Sequence, residues 1–372
     1  MVIMKSNILF FFLCLLFVSP VSVKAEESLR RALFVSVIQE PAVLSSREEI
    51  IELLDYAKKA RIEILYVQVY RANKAWFASE YADDSPYSDC VDSVGEDPLE
   101  LLIKRAHEKG IKVYAWLNLL SLSANKNAPM LKKYGNSILT RNLKEKKRLE
   151  DYKIDNQYFL EPGDMRVRAE LVNIVDEVLN GYPGLDGILF DYIRYPDKDP
   201  AYGYTPMNVR RFKKMTGEKT VVEASAAWKD WKRIQVTGLL KRLVKECRGL
   251  RPDIRVEATG CAPYSRAYLE AFQDWPSWLE SNLVDSVTVM TYAKTALEFE
   301  KMVLDAKKRV KDFSKTNIAV GAYELGKSPE IFTGQLRICK EAGSYACAIL
   351  HYGSLRENPA IGGLLTADDK IP

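Results

Sequence analysis

Histidine is almost missing from this chain: two in 372 residues, His107 and His351. Two imidazoles cannot build a His-rich zinc site, and a Ser-His-Asp or Cys-His triad would have to recruit His351. His107 stands in Ala106-His107-Glu108-Lys109-Gly110, which reads as a helix end where a cation offsets the last carbonyls. Cysteine is sparse as well. With Cys14 in an N-terminal apolar run, Cys90, Cys247, Cys261, Cys339 and Cys347 remain, an odd set with no pair at metal-ligand spacing. Buried free thiols are expected rather than a disulfide framework. An excess of one charge is lacking too. Lys and Arg number 54 against 50 Asp and Glu, a formal +4, too balanced for the footprint of a nucleic-acid or membrane-surface binder. The dense basic run Arg141 to Arg148 reads as a solvated face. No Gly-rich phosphate loop follows the first strand, which counts against an open doubly wound sheet. Carboxylates are therefore the acid–base reagents left, and that points to glycosidase-type chemistry.

What is present is material for one large core: 47% hydrophobic and 28% charged residues. Lys5, an apolar run from Ile8 to Val18, and Val23-Lys24-Ala25 before Glu26 have the layout of a secretory signal peptide. The run is short for a membrane span, and no later stretch is apolar enough to be one. The division expected is residues 1–25 as signal peptide, 26–355 as one catalytic-type domain and 356–372 as a polar tail. Losing Lys5 and Lys24 takes the charge from +4 to 4 − 2 = +2.

From residue 33 on, strand and helix patterns alternate. Leu33 to Ile38, Ile62 to Tyr70, Ile111 to Asn118, Leu185 to Asp191, Ile254 to Gly260, Val284 to Tyr292, Asn317 to Tyr323 and Ala346 to His351 read as strands. Helical stretches lie between them, the first opening on a Ser46 cap and the second on Asp97-Pro98. Eight strands with intervening helices predict an α/β fold, a single (β/α)₈ TIM barrel. The polar stretch from Ser121 to Asn156 reads as a loop inserted over the mouth, and the residues from Pro196 to Tyr204 as a substrate-facing loop.

Strand parity sorts the side chains. Gly187, Leu189 and Asp191 share one face, which would put Asp191 inside the barrel at the carboxyl end of its strand, where barrels place their active sites. A helix cap or turn former is the plain alternative for an Asp in that position. Parity likewise gives Gln68 and Tyr70, Trp116 and Asn118, Glu257, and Tyr292 to the inner face. Glu324 lies just past the seventh strand. Tyr192, Arg194 and Tyr195, which follow Asp191, suit stacking on and hydrogen-bonding a polar ring.

The stretch Asp186-Gly187-Ile188-Leu189-Phe190-Asp191-Tyr192-Ile193-Arg194-Tyr195-Pro196 resembles the DGIhFDDYrYP signature of the glycosyl-hydrolase-like family 10, and equally the DGIqFDYIRFP form of a sister group. Asp97-Pro98-Leu99, Ala115-Trp116-Leu117-Asn118 and Tyr158-Phe159-Leu160-Glu161-Pro162-Gly163 match further segments of that family. Tyr192 stands where the first signature has a second Asp, so this chain lacks that carboxylate. The resemblance covers nearly all of the chain after residue 25. It implies a TIM barrel, largely secreted bacterial proteins, and a carbohydrate substrate, with peptidoglycan glycan strands allowed.

Glycoside hydrolysis needs two carboxyl groups flanking the bond. Asp191 is the expected nucleophile or base, favoured by Arg194 if the two face each other. Its partner is open between Glu324, preferred for height at the mouth, and Glu257, which could instead form an internal ion pair with Arg255. Gln68, Tyr70, Trp116, Asn118, Tyr192, Arg194, Tyr195 and Tyr292 are the expected substrate contacts. No metal and no cofactor is expected. The partner is a polysaccharide or oligosaccharide, with no nucleic acid and no membrane after signal cleavage, in a secreted or periplasmic location. A binding barrel without catalysis and a metal-dependent deacetylase are the alternatives.

Overall fold

Alternating apolar runs and capped amphipathic segments resolve into a parallel barrel. The structure, a computed structural model, describes residues 29–367 apart from Glu145, Lys198, Asp199 and Lys327; the expected leader lies outside the described residues. The barrel strands are β1 (Arg30–Val35), β2 (Ile62–Arg71), β3 (Lys112–Asn118), β4 (Gly187–Asp191), β5 (Arg255–Cys261), β6 (Ser286–Met290), β7 (Thr316–Gly321) and β8 (Ala346–Leu350). Each pairs in parallel with the next, and β8 pairs with β1, which closes the sheet. A two-residue strand, Lys74–Ala75, folds back antiparallel on the end of β2.

The expected caps are in place. Ser46 Oγ accepts the Glu49 amide at 3.1 Å, and Asp97 Oδ1 accepts those of Leu99 and Glu100, each at 2.9 Å. At the amino-terminal ends of the strands, Asp186 and Asp285 accept the amides of Val113 and Val256 on neighbouring strands, at 2.8 and 2.7 Å. Asp186 also meets His107 Nε2 at 2.9 Å, so that histidine belongs to the base of the barrel.

The interior is filled by side chains. Ala32, Phe34, Ile64, Tyr66, Tyr114, Trp116, Leu189 and Ala348 form one buried cluster. Phe34 packs on Tyr66 at 4.8 Å and edge-on to Trp116 at 5.0 Å between ring centres. Gly187 is required here, because a Cβ at this position would sit 2.6 Å from the Tyr114 ring. The outer faces of the strands pack against the surrounding helices in a larger core.

Three sequence expectations are corrected. The insertion after Ser121 is not a plain polar loop: it carries a helix, Pro129–Tyr134, and its Leu122, Met130, Ile138 and Leu139 are buried in the core. The stretch from Pro196 to Tyr204 is not simply a substrate-facing loop: Asp197 ion-pairs with Arg194 and Arg266, and Tyr204 is buried against Trp228 at 5.1 Å. The polar tail from Arg356 instead continues as short helices, Tyr352–Glu357, Pro359–Gly362 and Leu364–Ala367, with Leu355, Ile361 and Leu365 buried. Among the described residues no helix is long and apolar enough to cross a membrane, and all five cysteines are buried free thiols.

Candidate active site at the barrel mouth

Asp191 ends β4, and its side chain points inward as parity requires. The register places it beside Asn118 of β3, one inward layer above Leu189, which pairs with Glu257 of β5. Its carboxylate is 5% exposed and accepts three hydrogen bonds: Trp116 Nε1 to Oδ2 at 3.0 Å, Thr259 Oγ1 to Oδ1 at 2.7 Å and its own following amide, Tyr192 N, to Oδ1 at 2.7 Å. These donors fix the orientation of the group while leaving lone-pair capacity on Oδ2.

Above it opens a chamber of about 290 Å³. Asp191, Trp116, Asn118, Tyr192, Arg194 and Tyr292 line it, so six of the residues expected from sequence meet there. Asn118 Oδ1 is buried without a protein partner, an acceptor left open on the wall. Tyr192 adopts a left-handed backbone, φ 55°, its ring 6.4 Å from that of Phe159. The Arg194 guanidinium lies 4.7 Å above the Tyr192 ring. Arg194 does not bond Asp191; it ion-pairs with Asp197, which Arg266 also holds. Burial, reinforced by Asp191 and Tyr323, pushes the Tyr292 phenol well up, so it stays a neutral hydrogen-bonding group.

The other expected residues lie elsewhere. Glu257 is fully buried within the barrel, where it accepts Tyr66 Oη at 2.6 Å, Asn317 Nδ2 at 3.0 Å and Arg255 Nε at 2.9 Å. The internal ion pair with Arg255 thus forms, and Glu257 is not among the chamber's lining residues. Tyr70 points outward. A bulge in β2 places Gln68 opposite Trp116 but Tyr70 opposite Leu117, so parity breaks after Gln68 and Tyr70 joins the outer core, bonded to Asn73. Gln68 remains inside but braces the β1 loop, its Oε1 accepting Ser36 Oγ at 3.1 Å. Tyr195 is not a sugar platform. The left-handed turn at Tyr192 carries the chain behind the barrel, where Tyr195 is buried, hydrogen-bonds Glu161 and meets Phe272 edge-on at 5.6 Å. Glu324 lies outside the chamber, on an adjoining shelf lined also by Tyr292, Lys294 and Met302, with Lys294 3.9 Å away.

The structure adds lining residues that sequence reasoning missed: Arg71, Thr259, Cys261, Arg266, Tyr323 and His351. Thr259 shares the parity of Glu257 and was legible on that ground. The β2 bulge hid Arg71. Burial pushes the Cys261 thiol up to about 11, which makes it a protonated thiol at neutral pH rather than a nucleophile. Burial holds His351 below the ordinary imidazole value; its Nε2 meets Ser354 Oγ at 3.2 Å. Among the described residues no group of three His, Cys, Asp or Glu is arranged to hold a metal ion.

Comparison with known proteins follows the same line. The family profile described as Glycosyl hydrolase-like 10 matches residues 31–326. "Glycosyl hydrolase DigH" of Escherichia coli (strain K12) is 22% identical over 312 residues, covering 77% of this chain and 68% of the relative; that of Shigella flexneri matches to the same extent. Among solved structures, the catalytic domain of a beta-amylase from Paenibacillus polymyxa covers 90% of this chain and 94% of its own, at TM-score 0.58 and 12% identity. A GH42 beta-galactosidase from G. stearothermophilus covers 91% of this chain and 56% of its own, at TM-score 0.63 and 12% identity. These structural likenesses are of the barrel fold.

Proposed function

Since this chain belongs to the glycosyl hydrolase-like 10 family, a family of glycoside-hydrolase-type barrels, we propose that it hydrolyses glycosidic bonds of a bacterial polysaccharide, peptidoglycan glycan strands being the leading candidate. Export directed by residues 1–25 would bring it to that substrate. The observation that carries the reading is Asp191: an inward carboxylate at the carboxyl end of β4, held by Trp116 and Thr259 at the base of a chamber of sugar-ring size.

Asp191 acts either as the nucleophile on the anomeric carbon or as the base that activates the water attacking it. Asn118 Oδ1, Tyr192 and Tyr292 supply the hydrogen bonds and ring faces that hold the sugar. The second carboxyl group is Glu324, which protonates the leaving oxygen from the shelf beyond Tyr292; Tyr292 lines both compartments and would lie under the scissile linkage. Glu257 is given no part, because its two oxygens are engaged by Tyr66, Asn317 and Arg255.

The test compares the wild type with Asp191→Asn on peptidoglycan glycans and bacterial exopolysaccharides, scoring new reducing ends by mass. Product from the wild type and a loss of about 10³-fold or more in the variant, with unchanged melting, is the expected result. Near-normal turnover by the variant would sink the assignment. One observation favours a second reading, a binding barrel without turnover: Asp191 is the only carboxylate among the described residues that lines the chamber. Tight glycan binding with no product from either protein would establish it.

A further inference from the structure

The chamber holds three guanidinium groups, and two are already engaged. Arg194 and Arg266 share Asp197. The guanidinium of Arg71, half-buried on the chamber wall near Tyr192, has no hydrogen bond and no ion pair among the described residues. Nor is it tied to Asp191, whose three donors are Trp116, Thr259 and the Tyr192 amide. An Arg left without an anion in a half-enclosed space carries an unmet fork of donors.

Its placement is built by the backbone. The bulge after Gln68 that turns Tyr70 outward turns Arg71 inward. Arg71 then pairs with Lys74 across the two-residue turn Ala72-Asn73, both at φ 56°. That turn is tied down: Asn125 Nδ2 donates to Ala72 O at 2.8 Å, and Asn73 Oδ1 accepts the Met130 amide at 2.9 Å. Arg71 therefore starts from a fixed point and aims an uncompensated cation into the space above Asp191.

We propose that Arg71 determines specificity by binding a carboxylate carried on a sugar unit seated beside Asp191, so that the preferred ligand is an acidic glycan. The planar fork matches a carboxylate with two parallel hydrogen bonds, and a contact of this kind favours the acidic ligand by about 10–100-fold. This inference rests on the reading of the mouth as a glycan site. Two sources carry the same group: a hexuronate, with the carboxyl on C6, and a lactyl ether on the sugar ring, as in muramic units.

Calorimetric titration of the protein with hexuronate and muramic oligosaccharides, each beside its carboxyl-reduced counterpart, tests it. At least one acidic probe is expected to bind 10-fold or more tightly than its reduced form, and the probe that does so identifies the source. In Arg71→Gln that ratio falls toward one, and Arg71→Lys keeps part of it. Loss of the side chain breaks no hydrogen bond or ion pair among the described residues, so the melting temperatures of both variants serve as the folding control. Equal affinity for acidic and reduced glycans in the wild type, or a preference that survives in Arg71→Gln, overturns the role of Arg71 and leaves the glycan site standing. Failure of every glycan to bind overturns both.

Discussion

Thr259 shows how one hydroxyl can govern a site. Its Oγ1 sits 2.7 Å from Asp191 Oδ1 and, with Trp116, sets the direction in which the carboxylate faces the chamber. Thr259→Val keeps the shape but removes the donor, and a hydrogen bond to a charged group is worth roughly 1.5–3 kcal/mol. The expected result is a kcat lower by about 10-fold with KM changed much less; steady-state kinetics on the glycan that the wild type cleaves checks it. An unchanged kcat would mean that Asp191 is oriented without Thr259. Sequence parity alone put Asp191, Trp116 and Asn118 on inner faces, because in β3 and β4 the period of two is unbroken up to the strand ends. It misplaced Tyr70 and passed over Arg71 for one reason, the extra residue in β2, which leaves no trace in the alternation of apolar and polar side chains.

At the scale of an element, the long helix Ala226–Leu250 carries an unusual burden. Lys232 on this helix is fully buried, its Nζ 3.7 Å from the centre of the Phe272 ring and donating to Pro200 O. Burial lowers it from the ordinary 10.5 to about 7. The folded protein thus holds fewer protons than the unfolded chain between these values. Stability present above about pH 10.5 from this group is lost as pH falls toward 7. Lys232→Met should stabilise the protein at pH 7 by roughly 1–3 kcal/mol and flatten the rise in stability from pH 7 to 9. Urea unfolding at the two pH values measures this, and parallel pH slopes in variant and wild type would refute it. A helical stretch before the fifth strand was expected from the sequence; the burial of Lys232 was not, since a lysine on a helix is ordinarily read as solvated.

For the whole molecule, closure of the barrel depends on pieces far apart in sequence. The short helices Pro359–Gly362 and Leu364–Ala367 lie near helix Arg47–Lys59, where Tyr56 Oη donates to Gly362 O at 2.9 Å. Ile361 and Leu365 are buried at 0% and 2% exposure. Ending the chain after Glu357 removes both, and at 2–5 kcal/mol for a large buried aliphatic the loss should be at least about 4 kcal/mol. A lower denaturation midpoint with near-normal secondary structure is expected; an unchanged midpoint would restore the reading of this segment as a tail.

The sequence by itself determined the fold class and placed Asp191 on an inner face at the end of its strand. Strand period, caps and the Asp186-to-Pro196 stretch are local properties, written within a few residues of one another. Its shortage of histidine likewise narrowed the chemistry to carboxylates before any contact was known. Tertiary structure alone decided which carboxylates reach the mouth. Strand register and tilt are settled between strands, and they set Glu257 one layer beneath Asp191, among Tyr66, Asn317 and Arg255, while carrying Glu324 onto the neighbouring shelf. The left-handed turn at Tyr192 hid Tyr195 behind the barrel, and the bulge in β2 exchanged Tyr70 for Arg71. Each outcome depends on residues brought together only by closure of the sheet, which is why no single stretch of the chain could announce it.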